Sequence, residues 1–170
     1  MSSGKKELVL MDADRVQRSL KRMTYEIVEK NSHNKPVLFF GIDDRGYAMA
    51  QALANVLKGI TAGKIDFLQL SLKNGDTTEI FETLSKVQDA YIIVVDDVIF
   101  SGKTMFNALN EISGHVNPPE LHTAVMIDRG HRKFPVKAEF CGMELPTKLN
   151  EHVSVKVENG EIKQVVLINS

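Results

Sequence analysis

The run from Val94 to Thr104, which reads VVDDVIFSGKT, is the feature that most constrains the fold of this chain. An apolar segment, Tyr91 to Val95, predicts a buried strand that leads directly into Asp96 and Asp97. A short loop follows, and a helix is predicted over Gly102–Ile112. A strand, a short loop and a helix in this order form the repeating unit of an open parallel sheet, which binds its ligand beyond the carboxyl ends of the strands.

The rest of the chain alternates strands and helices in the same way. Further strands are predicted over Val37–Ile42, Ile65–Leu72 and Leu121–Ile127. Helices are predicted from Asp12 to Asn31 and from Arg45 to about Leu57, and Thr78–Val87 is either a short helix or a partly mobile crossover. Residues 1–7 are expected to be a flexible lead. This alternation indicates an α/β fold, a mostly parallel sheet with helices on both faces, in a single domain over residues 1–170.

The end of the chain has a different pattern. Asn159-Gly160 separates two short apolar segments, Val153–Val157 and Ile162–Ile168. Asn-Gly between two such segments is a strong signal for a tight β-hairpin. The sequence therefore predicts an antiparallel element beside the parallel sheet.

Composition narrows the class of protein. The formal net charge of −1 over 170 residues gives no global attraction to nucleic acid or anionic membranes. No apolar run approaches the roughly 20 residues of a membrane span. Cys141, the one cysteine, cannot form an internal disulfide, which favours a reducing compartment. We therefore expect a cytoplasmic protein that does not bind membranes.

The loop and helix after Asp97 have the chemistry of a sugar-phosphate site. The first turn of a helix has unpaired N–H groups with partial positive charge, Gly102 lets the backbone approach an anion, and Ser101 and Thr104 add hydroxyl donors. Carboxylates accept hydrogen bonds from vicinal hydroxyls. Because neighbouring residues on a strand point to opposite faces, we expect one of Asp96 and Asp97 to reach the sugar diol and the other to face a bound cation or a structural partner. A ribose 5-phosphate requires both kinds of group at this separation.

The loops after the four predicted strands should meet in one crevice. Those after Ile42, Leu72, Val95 and Ile127 all begin with polar residues. In a parallel sheet the carboxyl ends lie along one edge, so these loops are brought together. The alternative without a function is that Asp96-Asp97 simply ends a strand and Ser101-Gly102 is a turn.

The run Val94–Thr104 resembles the 5-phosphoribosyl 1-pyrophosphate (PRPP) motif of type I phosphoribosyltransferases. Leu10–Asn31, Phe40–Leu53 and Met126–Arg132 through to Thr147, with its Asp-Arg-Gly-His-Arg stretch, are similar to the PyrR family of pyrimidine operon attenuators and uracil phosphoribosyltransferases. The resemblance implies a parallel sheet flanked by helices, with a small C-terminal hood. It also implies transfer of ribose 5-phosphate from PRPP to a pyrimidine base, uracil, with Mg²⁺ as cofactor, and a homodimer that binds leader RNA.

The resemblance also implies roles for individual residues. The catalytic residues would be Asp96, Asp97 and Arg45, with Asp97 also on the metal. The PRPP site would consist of Asp96, Asp97, Val98, Ser101, Gly102, Lys103, Thr104, Arg45 and Gly46. Phe100, Arg129 and His131 would frame the base beneath a hood over Phe134–Pro146, and Arg132 and Lys133 would contact RNA. Phe100 stands where purine-using relatives tend to have an acidic residue.

Two departures from the family pattern leave alternatives open. The family tends to place a lysine where this chain has Asp43, and the segment after Leu72 is shorter and lacks the family's arginine, with Lys73 as a possible substitute. A closing loop of this kind excludes water during catalysis. The first interpretation is an active uracil phosphoribosyltransferase, or a close relative that uses another base. The second is a catalytically weak regulator that responds to PRPP or nucleotide and acts on RNA or on a protein partner. The third is a generic α/β phosphate-binding domain.

Overall fold

The computed structural model describes residues 4–72, 82, 89–115 and 120–169. The strands are β1 (Lys6–Met11), β2 (Val37–Ile42), β3 (Ile65–Leu70), β4 (Tyr91–Ile99), β5 (His122–Asp128), β6 (Phe140–Glu144), β7 (Glu151–Glu158) and β8 (Glu161–Asn169). The helices are α1 (Ala13–Lys30), α2 (Asp43–Lys58) and α3 (Lys103–His115). Apart from Glu82, the predictions for Lys73 and for Thr78–Val87 lie outside the described residues.

Five strands form a parallel sheet in the order β3-β2-β4-β5-β6. One apolar core joins the sheet to α1 and α2, and a second core joins its other face to α3. The predicted arrangement, a parallel sheet with helices on both faces, is therefore confirmed. In the described part of the chain, no helix is both long and apolar enough to cross a bilayer.

Helix α1 begins and ends where its cap residues predict. The Asp12 carboxylate accepts a hydrogen bond of 2.8 Å from the Arg15 amide, and Asn31 follows the last turn. From the middle of the helix, Arg22 donates to the carbonyls of Cys141 and Gly142 at 2.9 and 2.7 Å. These carbonyls belong to β6, so α1 covers the outer edge of the sheet.

A second, antiparallel sheet contains both ends of the chain, in the order β1-β8-β7. The predicted hairpin is confirmed: Asn159 and Gly160 have positive φ values of 51° and 76° between β7 and β8. The prediction that residues 1–7 are a flexible lead is wrong from Lys6 onward, because β1 pairs with β8. The small C-terminal element therefore also includes the first strand.

The predicted hood over Phe134–Pro146 is wrong in part, because Phe140–Glu144 is β6, the parallel edge strand of the main sheet. The segment is short and is interrupted by Gly142. A Cβ at Gly142 would lie 2.5 Å from the carbonyl oxygen of Met126 on β5, so a glycine is required for this pairing. In isolation the same glycine weakens the strand pattern.

Two glycines allow α2 to pack closely against the sheet. A Cβ on Gly46 would lie 2.6 Å from the Val95 carbonyl oxygen, and one on Gly41 would lie 2.3 Å from the Cα of Tyr47. The helix begins at Asp43, two residues earlier than predicted. Its buried face includes Met49, Leu53 and Leu57.

We expect the substitution Gly46→Ala to destabilise the protein by about 1–3 kcal/mol, because the added methyl group collides with β4 backbone that cannot move aside. Denaturant unfolding measures this free energy. Gly114→Ala is the matched control, since a Cβ at Gly114 in α3 meets nothing within 4 Å. The control should be neutral or stabilising by up to about 1 kcal/mol. Equal effects of the two substitutions would show that the close approach of α2 is not required.

Candidate active site

A cavity of about 530 Å³ lies at the carboxyl ends of β2, β3 and β4. It is lined by Ile42, Asp43, Asp44, Arg45, Gln69, Ser71, Asp96, Asp97 and Thr104. The predicted convergence is confirmed for the loops after three strands. Among the described residues, the loop after β5 contributes none to the lining of this cavity, and its Arg129 packs on Phe100 in the loop after β4.

Both members of the acidic pair line the cavity. Strand β4 continues to Ile99, whereas its pairing with β2 stops at Gly41 opposite Val95. Beyond Val95 the strand has an open side. The Asp97 amide donates to the Asp96 carboxylate at 2.9 Å, and the Val98 amide donates to the Asp97 carboxylate at 2.8 Å. Each carboxylate is therefore held close to the backbone.

The two carboxylates crowd each other. Burial, and next the negative charge of Asp97, raise the pKa of Asp96 from 3.8 to about 8. A hydrogen bond with Asp97 and the charge of Asp43 act in the same direction. The pair therefore favours a partner that brings donors or positive charge, such as the hydroxyls of a sugar.

The loop after β4 leads into α3 through Gly102. This residue has φ of 85°, and a Cβ there would lie 2.5 Å from a methyl carbon of Val136. Helix α3 begins at the next residue, Lys103, and Thr104 in its first turn lines the cavity. The helix N-terminus thus lies beside the acidic pair, as predicted, with Ser101 preceding it and accepting a bond of 3.3 Å from the Lys103 amide through its hydroxyl.

The segment after β5 supports this loop from behind. Arg132 donates to the carbonyl of Phe100 at 2.9 Å, to the carbonyl of Val136 at 3.0 Å and to the carboxylate of Asp128 at 2.7 Å. The amides of Lys133 and Phe134 both donate to the Ser101 carbonyl. Arg132, a predicted RNA contact, is thus bonded inside the fold, whereas Lys133 is exposed.

The first turn of α2, directly after β2, contains the predicted residues Arg45 and Gly46. Arg45 lies 3.9 Å from the Asp97 carboxylate and donates to the Val155 carbonyl of β7 at 3.3 Å. Asp43 has φ of 50°, and its carboxylate accepts from the Leu72 amide at 3.1 Å. Strand β7 and Leu72, which follows β3, therefore hold the first turn of α2 in place.

The three residues predicted to frame a base form one cluster. The Arg129 guanidinium carbon lies 4.3 Å from the centre of the Phe100 ring, and the His131 ring lies 5.2 Å from it. Arg129 is buried and donates to the Thr147 hydroxyl at 2.7 Å and to the Glu151 carbonyl. His131 is 2.6 Å from the Thr147 carbonyl. Thr147 and Glu151, the first residue of β7, thus hold the Arg129 guanidinium against the Phe100 ring.

The acidic pair by itself is a partial metal site. Among the described residues, no group of three or more His, Cys, Asp or Glu side chains is arranged to hold a metal ion. Mg²⁺ commonly takes one or two protein carboxylates and completes its shell with water and substrate phosphates. The crowded carboxylates of Asp96 and Asp97 fit an ion that arrives with a phosphorylated ligand.

Sequence reasoning missed two polar residues of the cavity, Gln69 and Ser71. The predicted strand extends to Leu72, whereas β3 ends at Leu70. Ser71 is therefore predicted inside a strand although it lies just beyond one. The Gln69 amide donates to the Asp44 carboxylate at 2.9 Å. The available signal was the polar Gln69 and Ser71 within an otherwise apolar segment.

The same fold occurs in a phosphoribosyltransferase of known structure. The hypoxanthine-guanine phosphoribosyltransferase of Leishmania tarentolae, solved with GMP, superposes with a TM-score of 0.77 over 96% of this chain and 98% of that chain. The sequences are 14% identical, so this likeness concerns the fold alone. Residues 10–159 match the phosphoribosyl transferase domain family. Fold and site together define a phosphoribosyltransferase.

Curated relatives narrow the class further. The bifunctional protein PyrR of Pediococcus pentosaceus is 33% identical over 176 residues, which cover 96% of this chain and 99% of that protein. The protein of the same name from Ligilactobacillus salivarius is 34% identical over 161 residues, or 88% of this chain and 90% of that protein. The chain therefore belongs to the PyrR family, and it is a glycosyltransferase of the PyrR type.

The raised pKa of Asp96 predicts a pH-dependent stability. Between about pH 4 and pH 8 the unfolded chain has released this proton and the folded chain retains it, so stability falls as pH rises through this window. Asp96→Asn removes the titration. We expect the Tm of this variant, relative to wild type, to rise by several degrees from pH 5 to pH 8, as 1 kcal/mol corresponds to about 2–4 °C here. The same Tm difference at both pH values would contradict the assignment.

Proposed function

We propose that this protein transfers ribose 5-phosphate from PRPP to a pyrimidine base, uracil, and releases pyrophosphate. The observation that carries the proposal is that Asp96, Asp97 and Thr104 line a single cavity. Two carboxylates for a diol therefore lie next to the N-terminus of a helix that suits a phosphate. The PyrR relatives support the same reaction class.

In the proposed complex the 5-phosphate lies on the loop from Ser101 to Thr104. Gly102 allows its close approach, and the first turn of α3 and the Thr104 hydroxyl provide donors. The Asp96 and Asp97 carboxylates accept from the ribose hydroxyls. This arrangement directs C1 of the ribose toward the remaining wall of the cavity, which Arg45 in the first turn of α2 lines.

At C1, the bond to the pyrophosphate oxygen breaks and a bond to a ring nitrogen of the base forms, while that nitrogen loses its proton to the released pyrophosphate or to solvent. Positive charge develops on the ribose as the leaving group departs with the bonding electrons. The carboxylate of Asp97 lies beside that charge and stabilises it electrostatically. The carboxyl group of Asp96, whose pKa burial and the charge of Asp97 raise to about 8, adds its negative charge once its proton is released. Mg²⁺, held by Asp97 and the substrate phosphates, would neutralise the leaving group.

The cluster of Phe100, Arg129 and His131 supports a pyrimidine as the acceptor. An aromatic ring at Phe100 offers a flat apolar surface and neither donates nor accepts a proton. Arg129, which lies over that ring, stiffens it through a cation–π contact. A small, flat base fits beside such a surface.

Replacing both members of the acidic pair, Asp96→Asn with Asp97→Asn, should abolish PRPP binding and turnover, because the charged acceptors for the diol are lost. Calorimetric titration with PRPP and Mg²⁺, and pyrophosphate release with uracil, measure the two effects. Asp66→Asn, at an exposed position on β3, is the matched control. Unchanged PRPP affinity in the double variant would refute the proposed site. If wild type binds PRPP but does not turn over uracil, the enzyme interpretation is excluded and the interpretation as a regulator remains.

A second candidate function is a regulator of PyrR type that binds leader RNA as a homodimer. The relatives are named bifunctional, and Lys133 is exposed next to the loop that we assign to the phosphate. A lysine in this position can contact an RNA phosphate while its own amide holds the Ser101 carbonyl. RNA binding at Lys133 would then depend on the conformation of the loop from Ser101 to Thr104.

Lys133→Ala should weaken binding to a pyrimidine-operon leader RNA and lower the slope of log affinity against log salt by about 1, as expected for one phosphate contact. Fluorescence anisotropy at several salt concentrations measures the slope. Lys64→Ala is the control, because Lys64 precedes β3 at the opposite end of the sheet. No RNA binding by wild type, or equal slopes for both variants, would exclude this surface. Sedimentation of the same samples tests the homodimer.

A further inference from the structure

The cavity has two ends of opposite electrostatic character. At one end Thr104 belongs to the first turn of α3, where the partial charges of the helix favour an anion. At the other end Asp43 and Asp44 occupy the first turn of α2, and their carboxylates offset the positive end of that helix. A ligand that spans the cavity therefore meets a favourable site for one anionic group and an unfavourable site for a second.

The charges of the cavity wall strengthen this asymmetry. Its nine described residues include four carboxyl groups and one cationic group, that of Arg45. The guanidinium of Arg45 already lies 3.9 Å from the Asp97 carboxylate and donates to the Val155 carbonyl. Asp97 therefore offsets part of its positive charge. The field of Asp43 also extends along the cavity, since it contributes to the raised pKa of Asp96.

Hydrogen bonds hold the two carboxylates of the α2 end in place. Asp43 accepts from the Leu72 amide at 3.1 Å, and Asp44 accepts from the Gln69 side chain at 2.9 Å. The backbone of Asp43 is also constrained, with φ of 50°, a conformation that Asp and Asn tolerate better than most residues. These carboxylates cannot swing away from an incoming anion without breaking bonds to the end of β3.

We propose that Asp43 determines specificity at the C1 end of the ribose: its charge disfavours a diphosphate there, so the site retains ligands with a single phosphate and a neutral C1 end. Such ligands are ribose 5-phosphate and nucleoside 5′-monophosphates. The inference rests on the proposed function, because it assumes that the 5-phosphate binds at Ser101–Thr104. It adds that discrimination between PRPP and monophosphates lies in one residue at the opposite wall.

Two substitutions separate the charge of Asp43 from its hydrogen bond. Asp43→Asn keeps an acceptor for the Leu72 amide and tolerates the positive φ, but it removes the charge. Asp43→Gly tolerates the same φ and removes both the charge and the acceptor. Asp66→Asn removes an equal charge from the exposed face of β3 and serves as the control.

Calorimetric titration with PRPP and with ribose 5-phosphate, both at one saturating Mg²⁺ concentration, measures the discrimination. We expect Asp43→Asn and Asp43→Gly each to raise PRPP affinity about tenfold and to change ribose 5-phosphate affinity less than twofold, as one repulsive charge is removed. The gain should shrink as salt is raised from 50 to 500 mM. Asp66→Asn should leave the ratio of the two affinities unchanged.

Three results would overturn the inference. An unchanged affinity ratio in Asp43→Asn would exclude a role of the charge. A change in Asp43→Gly alone would assign the effect to the bond with Leu72. If wild type binds neither PRPP nor ribose 5-phosphate, the proposed function fails together with the inference, whereas in the first two cases the ligands still bind and only the inference fails.

Discussion

The site depends on one difference in strand length: β4 extends beyond the last residue that pairs with β2. Up to Val95 the strand is enclosed by neighbours on both sides and is buried. Beyond it, one side is open, and the chain places Asp96 and Asp97 there. Since a buried carboxylate is costly without partners, this opening is what allows two acidic residues to end a core strand. The cavity, the raised pKa of Asp96 and the reach to a ligand all follow from it.

The loop that follows gains its conformation from elsewhere in the chain. Gly102 adopts a backbone conformation that side chains disfavour, and it packs against Val136. Arg132 donates a hydrogen bond to the carbonyl of Phe100, and the amides of the next two residues donate to the carbonyl of Ser101. These bonds give each exposed carbonyl of the loop a partner, so that the loop is held before any ligand arrives. Preorganisation of this kind lowers the entropic cost of binding.

Charge in the cavity is distributed unevenly for reasons of local structure. Acidic residues are favourable in the first turn of any helix, so Asp43 and Asp44 stabilise α2 while they line the cavity. The same residues oppose an anion at that wall. The first turn of α3 contains no acidic residue, and its N-terminus remains suited to a phosphate. Two helices that start at the same edge of the sheet thus present opposite electrostatic surfaces to a ligand.

The sequence by itself determined the parallel sheet, the cap of α1 at Asp12, the hairpin at Asn159-Gly160 and the order of strand, loop and helix from β4 to α3, because each depends on local periodicity or on a residue with a local conformational preference. Only the tertiary structure decided the rest. The joining of β1 to β8, the place of β6 at the sheet edge and the internal bonding of Arg132 all depend on partners distant in the chain. That Asp96 and Asp97 face one cavity was likewise settled by where β2 ends, which no pattern within β4 contains.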